Sequence, residues 1–373
     1  MQNIPLSLYI HVPWCIKKCP YCDFNSHVAP NVIAEQMYIK ALIADLDINK
    51  NLINNRIIET IFIGGGTPSL LSAKAYQYLF EHIKKNYNLA NNAEITLEAN
   101  PGTIDYQKFK DYRAIGINRL SIGIQSFQDR HLKKLGRIHS SANAKVAIEH
   151  AQNAGFDNFN LDLMHGLPNQ TLEEALSDLK TALTFNPKHL SWYQLTIEAN
   201  TIFYKQQPLL PSDDILADIE LAGFEILKKY NHYEISAFSK SGFQCNHNIN
   251  YWNFGDYLGI GAGAHSKISH DSQILRFEKK RMPKDYLESP SININKRIIT
   301  KKELPFEFML MASRLKKPIQ KSLFKDRTTL DIEVIRPELE LALQKKLITE
   351  NKQLITLTEH GFRFLNEFQS LFI

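Results

Sequence analysis

Three cysteines fall within eight residues of this chain, Cys15-Ile-Lys-Lys-Cys19-Pro-Tyr-Cys22, a C-x3-C-x2-C spacing. Thiolates are soft ligands, and three from one loop can hold three corners of a cubane [4Fe–4S] cluster while the fourth iron stays open. Structural zinc takes four ligands, and the one further cysteine, Cys245, lies 223 residues beyond Cys22 (245 − 22). Free surface thiols are the alternative; a position directly after a strand and beside Tyr21 favours the cluster. A second group, Cys245-Asn-His247-Asn248-Ile-Asn-Tyr251-Trp252, sets an imidazole beside aromatic rings. Imidazole is an ordinary axial ligand of haem iron, and aromatic rings offer apolar surface to a porphyrin face. A buried histidine packed on a core tryptophan is the competing reading. His265, in Gly263-Ala-His265-Ser266, is another imidazole of the same kind.

These groups need elements to position them. From the N-terminus to about residue 237, short apolar runs at Leu6–Val12, 58–63, 94–98, 118–125, 159–164, 190–196 and 233–237 alternate with helical patterns at 32–46, Ala73–Asn86, 141–154, 172–185 and 213–229. Strand–helix alternation at this spacing predicts an α/β fold with a parallel sheet, open or curled into a full or partial barrel. Period-2 parity sharpens the prediction. Leu6, Leu8, Ile10 and Val12 share one face and leave Ser7, Tyr9 and His11 on the other. Glu98 is opposed to Ile95 and Leu97, Gln125 to Ile122 and Ile124, and Asp162 to Leu161 and Leu163. Apolar faces that meet helices and polar faces that line an interior suit a barrel around a ligand. Cys15, Gly65, Glu98, Gln125 and Asp162 come from five successive strand ends, where parallel α/β folds build their sites.

Residues 1–237 are expected to form this barrel, and 238–300 a less regular connecting segment that carries a Gly-rich stretch, Leu258-Gly-Ile-Gly-Ala-Gly-Ala-His265. Residues 301–373 read as helices, a short hairpin and a last helix, a small winged-helix-like module. The chain has 373 residues, 44% of them apolar and 22% charged, with a net charge of 44 − 39 = +5. That balance excludes wholesale disorder and is no nucleic-acid signature. In 301–373, 13 Lys and Arg are interleaved with 10 Asp and Glu, a solvated surface more than a phosphate track, so no nucleic-acid partner is expected. No run of about 18 apolar residues could span a membrane, and Met1-Gln-Asn-Ile-Pro lacks the features of a signal peptide, so a cytosolic protein is expected.

With Pro5-Leu-Ser-Leu-Tyr-Ile-His-Val-Pro-Trp-Cys15 before it and Cys22-Asp-Phe-Asn-Ser26 after it, the cysteine motif resembles the radical S-adenosylmethionine (SAM) superfamily. Within it the whole chain resembles the anaerobic coproporphyrinogen III oxidase family, specifically its haem-chaperone branch. The resemblance implies the radical SAM partial barrel and a C-terminal module of that family. It implies that Cys15, Cys19 and Cys22 ligate the cluster, with Tyr21 preceding the third. It implies that Tyr9, the loop Gly64-Gly65-Gly66-Thr67-Pro68 and Glu98 contact SAM. Gln125, Arg137 and Asp162 match positions that contact a second SAM in catalytic members. The implied chemistry is reductive cleavage of a SAM carbon–sulfur bond. His247, Asn248, Tyr251 and Trp252 match the branch's H-N-x-x-Y-W signature, which implies haem contact.

The sequence departs from the oxidases in two places. A phenylalanine, Phe24, stands where catalytic members carry a further cysteine, and only fourteen residues precede Cys15, where oxidases carry an N-terminal extension. Both departures are typical of the haem-chaperone branch and argue against coproporphyrinogen decarboxylation. The expected function is to bind haem, a [4Fe–4S] cluster and SAM and to deliver haem to respiratory haemoproteins, peripherally at the membrane surface. An electron donor for the cluster is implied, and the oligomeric state is left open.

Overall fold

The alternation of apolar and polar residues is realised as a curled sheet in the computed structural model, which describes residues 4–271 and 273–373. Six parallel strands lie side by side in chain order: β1 (Leu6–Val12), β2 (Ile58–Gly65), β3 (Leu89–Ala99), β4 (Arg119–Gln125), β5 (Phe159–His165) and β6 (His189–Gln194). Helices α1 (Glu35–Ile48), α2 (Ala73–Asn86), α3 (Tyr106–Ala114), α4 (Ser141–Asn153) and α5 (Leu172–Thr184) make the crossovers. Their starts are locally encoded. Ser72 accepts a hydrogen bond from Ala75 N, and Ser140 with Asn143 and Thr171 with Glu174 form reciprocal capping boxes. The apolar parity of the strands packs on these helices in one core that joins Leu8, Ile10, Leu120, Ile122 and Leu161 to Leu42, Leu79, Ile148 and Leu179.

The sheet curls without closing. β1, whose other neighbour in a closed barrel would be β6, instead pairs in parallel with β9 (Asp256–Ile260). β6 pairs with β8 (Ala237–Ser239), which turns back on β7 (Asn231–Glu234). With β10 (His265–His270), β11 (Gln273–Glu278) and β12 (Ile294–Ile298), the twelve-stranded order is β12-β11-β10-β9-β1-β2-β3-β4-β5-β6-β8-β7. Helix α6 (Asp213–Leu227) follows β6, and α7 (Asn246–Trp252) carries the His247 motif.

Two sequence expectations are corrected. The run 233–237 is no seventh parallel strand: a turn at Ile235–Ser236 splits it into an antiparallel hairpin. Residues 238–300 are more regular than expected, because their strands bury charges that a hydropathy pattern counts as exposed. Lys267 is buried 3.0 Å from Asp256, and Lys279 pairs with Asp45 on α1 with both side chains fully buried.

Beyond residue 300, helices Leu304–Ala312, Lys321–Thr328 and Arg336–Gln344 pack with a small antiparallel sheet of Ile319–Gln320, Leu354–Leu357 and Ile348–Glu350. Phe308, Phe324, Leu339 and Phe368 form its core together with Phe254, Ile274 and Ile299 from the preceding segment. The expected last helix breaks at Phe364 into two short ones.

Candidate functional site

At the carboxyl ends of the parallel strands lies a cavity of about 320 Å³. Cys15, Cys19, Tyr21 and Cys22 line it from the loop after β1, and Gly65, Gly66 and Thr67 from the end of β2 and the turn beyond it. Glu98, Gln125, Arg137 and Asp162 complete the opposite wall. Tyr9 does not line it. Its ring packs 6.4 Å from Phe62 and 6.5 Å from His247, and its hydroxyl bonds His11 Nδ1 at 3.0 Å. His247, Asn248, Tyr251 and Trp252 also lie away from this cavity.

The cysteine loop is pinned at both ends. Trp14 and Cys15 pair in parallel with His27 and Val28. Thr67 N donates to Trp14 O at 2.7 Å, and Thr67 Oγ1 donates to Cys15 Sγ at 3.4 Å. At Gly66 a Cβ would sit 2.6 Å from Trp14 O, so only glycine lets the β2 loop approach the cysteine loop this closely. From the other side Arg137 donates to Gly123 O at 2.7 Å and reaches Cys19 Sγ at 3.9 Å, while its Nε is buried without a partner among the described residues. Burial pushes the Cys15 and Cys22 thiols up, and the neighbouring thiols push them further. Three free thiols on one wall, beside an incompletely paired guanidinium, fit the donor set of a [4Fe–4S] cluster. Such a cluster, held by Cys15, Cys19 and Cys22, would supply one-electron reduction to a sulfonium bound in front of it.

The remaining wall is built of strained and buried polar groups. Gly65 has φ +115°, and its N–H donates to Glu98 Oε2 at 3.1 Å. Burial raises the Glu98 carboxyl to about 8, with the Asp162 charge adding to the rise and the Gly65 N–H opposing it. Burial also raises Asp162, partly offset by hydrogen bonds from Ser121 at 3.0 Å and Asn160 at 2.7 Å. Gln125 sits at φ +68° beside a register shift between β4 and β5, a conformation that costs a non-glycine residue about 1 kcal/mol or more. The distortion turns its amide to accept from Tyr193 Oη at 2.8 Å. Tyr193 and Ser191 line the cavity and were not singled out from the sequence. The signal was there, since both share the inward parity of β6 as Gln125 and Asp162 do in β4 and β5.

The second motif lies inside the fold. Glu94 on β3 accepts from the backbone N–H of Asn246 and His247, each at 3.1 Å, and so caps α7. His247 is 1% exposed; its Nδ1 bonds Thr60 Oγ1 at 2.8 Å and its Nε2 bonds Tyr251 Oη at 2.9 Å. Burial depresses its pKa to about 3. Iron could reach Nε2 only if Tyr251 gave up that bond. Trp252 is covered by the Arg314 guanidinium at 4.4 Å, and Arg314 pairs with Glu234. Asn248 is half-buried on the same helix.

An α/β partial barrel with a cysteine-lined cavity at its carboxyl end defines the radical SAM class. Residues 9–182 match the Radical SAM superfamily model, and residues 299–364 match the HemN C-terminal domain. Over its length the chain is 50% identical to the "Heme chaperone HemW" of Haemophilus influenzae and 49% identical to that of Escherichia coli, covering 99% of this chain and 98% of each relative. The Bacillus subtilis protein of the same name is 32% identical over 98% of this chain and 99% of its own. The chain belongs to this family, the HemW branch of the radical SAM superfamily. Its fold is that of the coproporphyrinogen III oxidase HemN from E. coli, with a TM-score of 0.84 at 23% identity, covering 99% of this chain and 90% of that one. Among the described residues no helix is long and apolar enough to cross a membrane.

Proposed function

We propose that this protein is a haem chaperone. It binds haem and a [4Fe–4S] cluster with SAM, and it passes the haem to respiratory haemoproteins in the cytoplasm, peripherally at the membrane surface. The observation that carries the proposal is likeness along the whole chain to proteins named as heme chaperones. Phe24 adds to it: an exposed phenyl ring at the cavity mouth stands where catalytic relatives place a cysteine, so an oxidase's thiol is missing. In this scheme Cys15, Cys19 and Cys22 hold the cluster. Gly65, Gly66, Thr67 and Glu98 orient SAM, and Gln125, Arg137 and Asp162, which line the same cavity, are the positions that would contact a second SAM. Tyr9, whose ring packs on Phe62 and His247, is the further SAM contact that the resemblance implies. His247, Asn248, Tyr251 and Trp252 carry the family signature that implies haem contact, and His265 is the second candidate imidazole. An electron donor reduces the cluster.

Anaerobic reconstitution, with haem and coproporphyrinogen III assayed side by side, tests the proposal. Saturable haem binding, transfer to an acceptor apoprotein and no turnover of coproporphyrinogen are expected. Turnover of coproporphyrinogen with release of 5′-deoxyadenosine would replace the chaperone with an oxidase.

A further inference from the structure

Ile16, Phe24, Val28 and Met282 are large apolar side chains left 49%, 60%, 65% and 52% exposed. They come from two segments that are bonded to one another, the cysteine loop and the turn at 280–282. Val28 pairs with Cys15, which places it beside Ile16, and Phe24 stands at the mouth of the cysteine-lined cavity. Asn25, next to Phe24, donates from Nδ2 to Ala262 O and to Arg281 O, both at 2.9 Å, and so draws Met282 and the Gly261–His265 segment against the loop. Close contact is built in, since a Cβ at Gly263 would lie 2.2 Å from Asn25 Nδ2. A contiguous exposed apolar patch on a folded protein marks a surface that is covered in use.

The charges around the patch say what covers it. Residues 16–28 and 280–282 hold four basic side chains, Lys17, Lys18, Lys280 and Arg281, against one acid, Asp23, and with Glu278 beside His265 the surplus is 4 − 2 = +2. Lys17 lines the cavity, and Lys18 donates to Phe24 O at 3.2 Å. An exposed imidazole completes the set. His265 has a side chain 68% exposed, with Nε2 3.3 Å from Glu278, in contrast to His247, whose two ring nitrogens are both bonded in the interior.

A flat apolar ring with two carboxylates at its edge and a metal at its centre matches apolar surface, cations and an imidazole together. An acidic protein partner would match the cations alone. We propose that haem docks on this rim, with its face on Phe24 and Val28, its propionates toward Lys17, Lys18 and Arg281, and His265 as the imidazole available to its iron. The proposal rests on the haem-chaperone function and locates it at the cavity mouth, outside the buried His247 layer.

The cluster-reconstituted protein is titrated anaerobically with ferric haem and, separately, with metal-free protoporphyrin IX. Phe24→Ser and the double variant Arg281→Ala/Met282→Ser are expected to weaken both ligands at least tenfold. His265→Ala should weaken haem and leave the metal-free porphyrin unchanged. Cluster absorption at the wild-type level shows that the loop is intact. Arg281 gives the loop only its backbone carbonyl, so the double variant decides if Phe24→Ser loses the cluster. Unchanged affinities in these variants, haem affinity lost only in His247→Ala, or impaired transfer with haem affinity intact would each overturn the rim as haem site and leave the chaperone function standing. No saturable haem binding by the wild type would remove that function itself.

Discussion

Glu98 offers a direct test of how the cavity is built. Its carboxyl rises from 4.5 to about 8 in the folded protein, chiefly through burial. The folded state therefore keeps its proton up to about pH 8, while the unfolded chain gives it up near 4.5. Between those values the folded state binds more protons, so this group's stabilising contribution is full below pH 4.5 and lost as pH rises to 8. A rise of about 3.5 units, at about 1.4 kcal/mol each, sets an upper limit of about 5 kcal/mol. Because the carboxylate faces a water-accessible cavity, screening brings the expected figure to about 2–4 kcal/mol. Glu98→Gln removes the titration and keeps the shape. Urea unfolding of the cluster-free protein, reduced and anaerobic, is measured for both proteins from pH 4.5 to 9. The stability of the variant relative to the wild type should climb with pH and level off above 8. Asp162→Asn, which removes the second cause of the shift, should make that climb smaller and end it at a lower pH. A difference independent of pH would refute the reasoning.

Three further outcomes are expected. Cys19→Ala abolishes the brown cluster absorption on anaerobic reconstitution; an unchanged iron content would count against the cysteine assignment. Arg137→Met lowers the reduction potential of the reconstituted cluster, because a cation reaching Cys19 Sγ stabilises the more negative reduced state; an EPR-monitored redox titration reads the shift, and an unmoved potential contradicts it. His247→Ala removes bonds of 2.8 and 2.9 Å and opens a void in the core, so it costs about 2–4 kcal/mol of stability by chemical denaturation. A loss below about 1 kcal/mol would mean that the imidazole is not packed as described.

Much of the barrel is written locally. β1 and α2 have the same limits in the sequence pattern as in the fold, Leu6–Val12 and Ala73–Asn86, because strict alternation and a Ser72 cap need no distant partner. The same alternation puts Glu98, Gln125 and Asp162 on the inward side of their strands, and a three-cysteine spacing is a property of one loop. The hairpin at 231–239 was harder to read, since a two-residue turn inside an apolar run leaves little compositional trace. The strands of 238–300 were harder still. Lys267 and Lys279 look like surface charges until Asp256 and Asp45 are brought to them, and Asp45 lies 234 residues (279 − 45) before Lys279.

What the amino-acid order determined by itself is the parallel α/β alternation, the cluster-type thiol loop and the family. The tertiary structure alone decided which polar groups meet. It placed Tyr193 on Gln125, closed the ring nitrogens of His247 with Thr60 and Tyr251, and tied Asn25 to a carbonyl 256 residues away at Arg281. The physical reason is common to all three. A side chain's period along its strand or helix fixes the direction it faces, but its hydrogen-bond partner is set by which elements the sheet order makes neighbours.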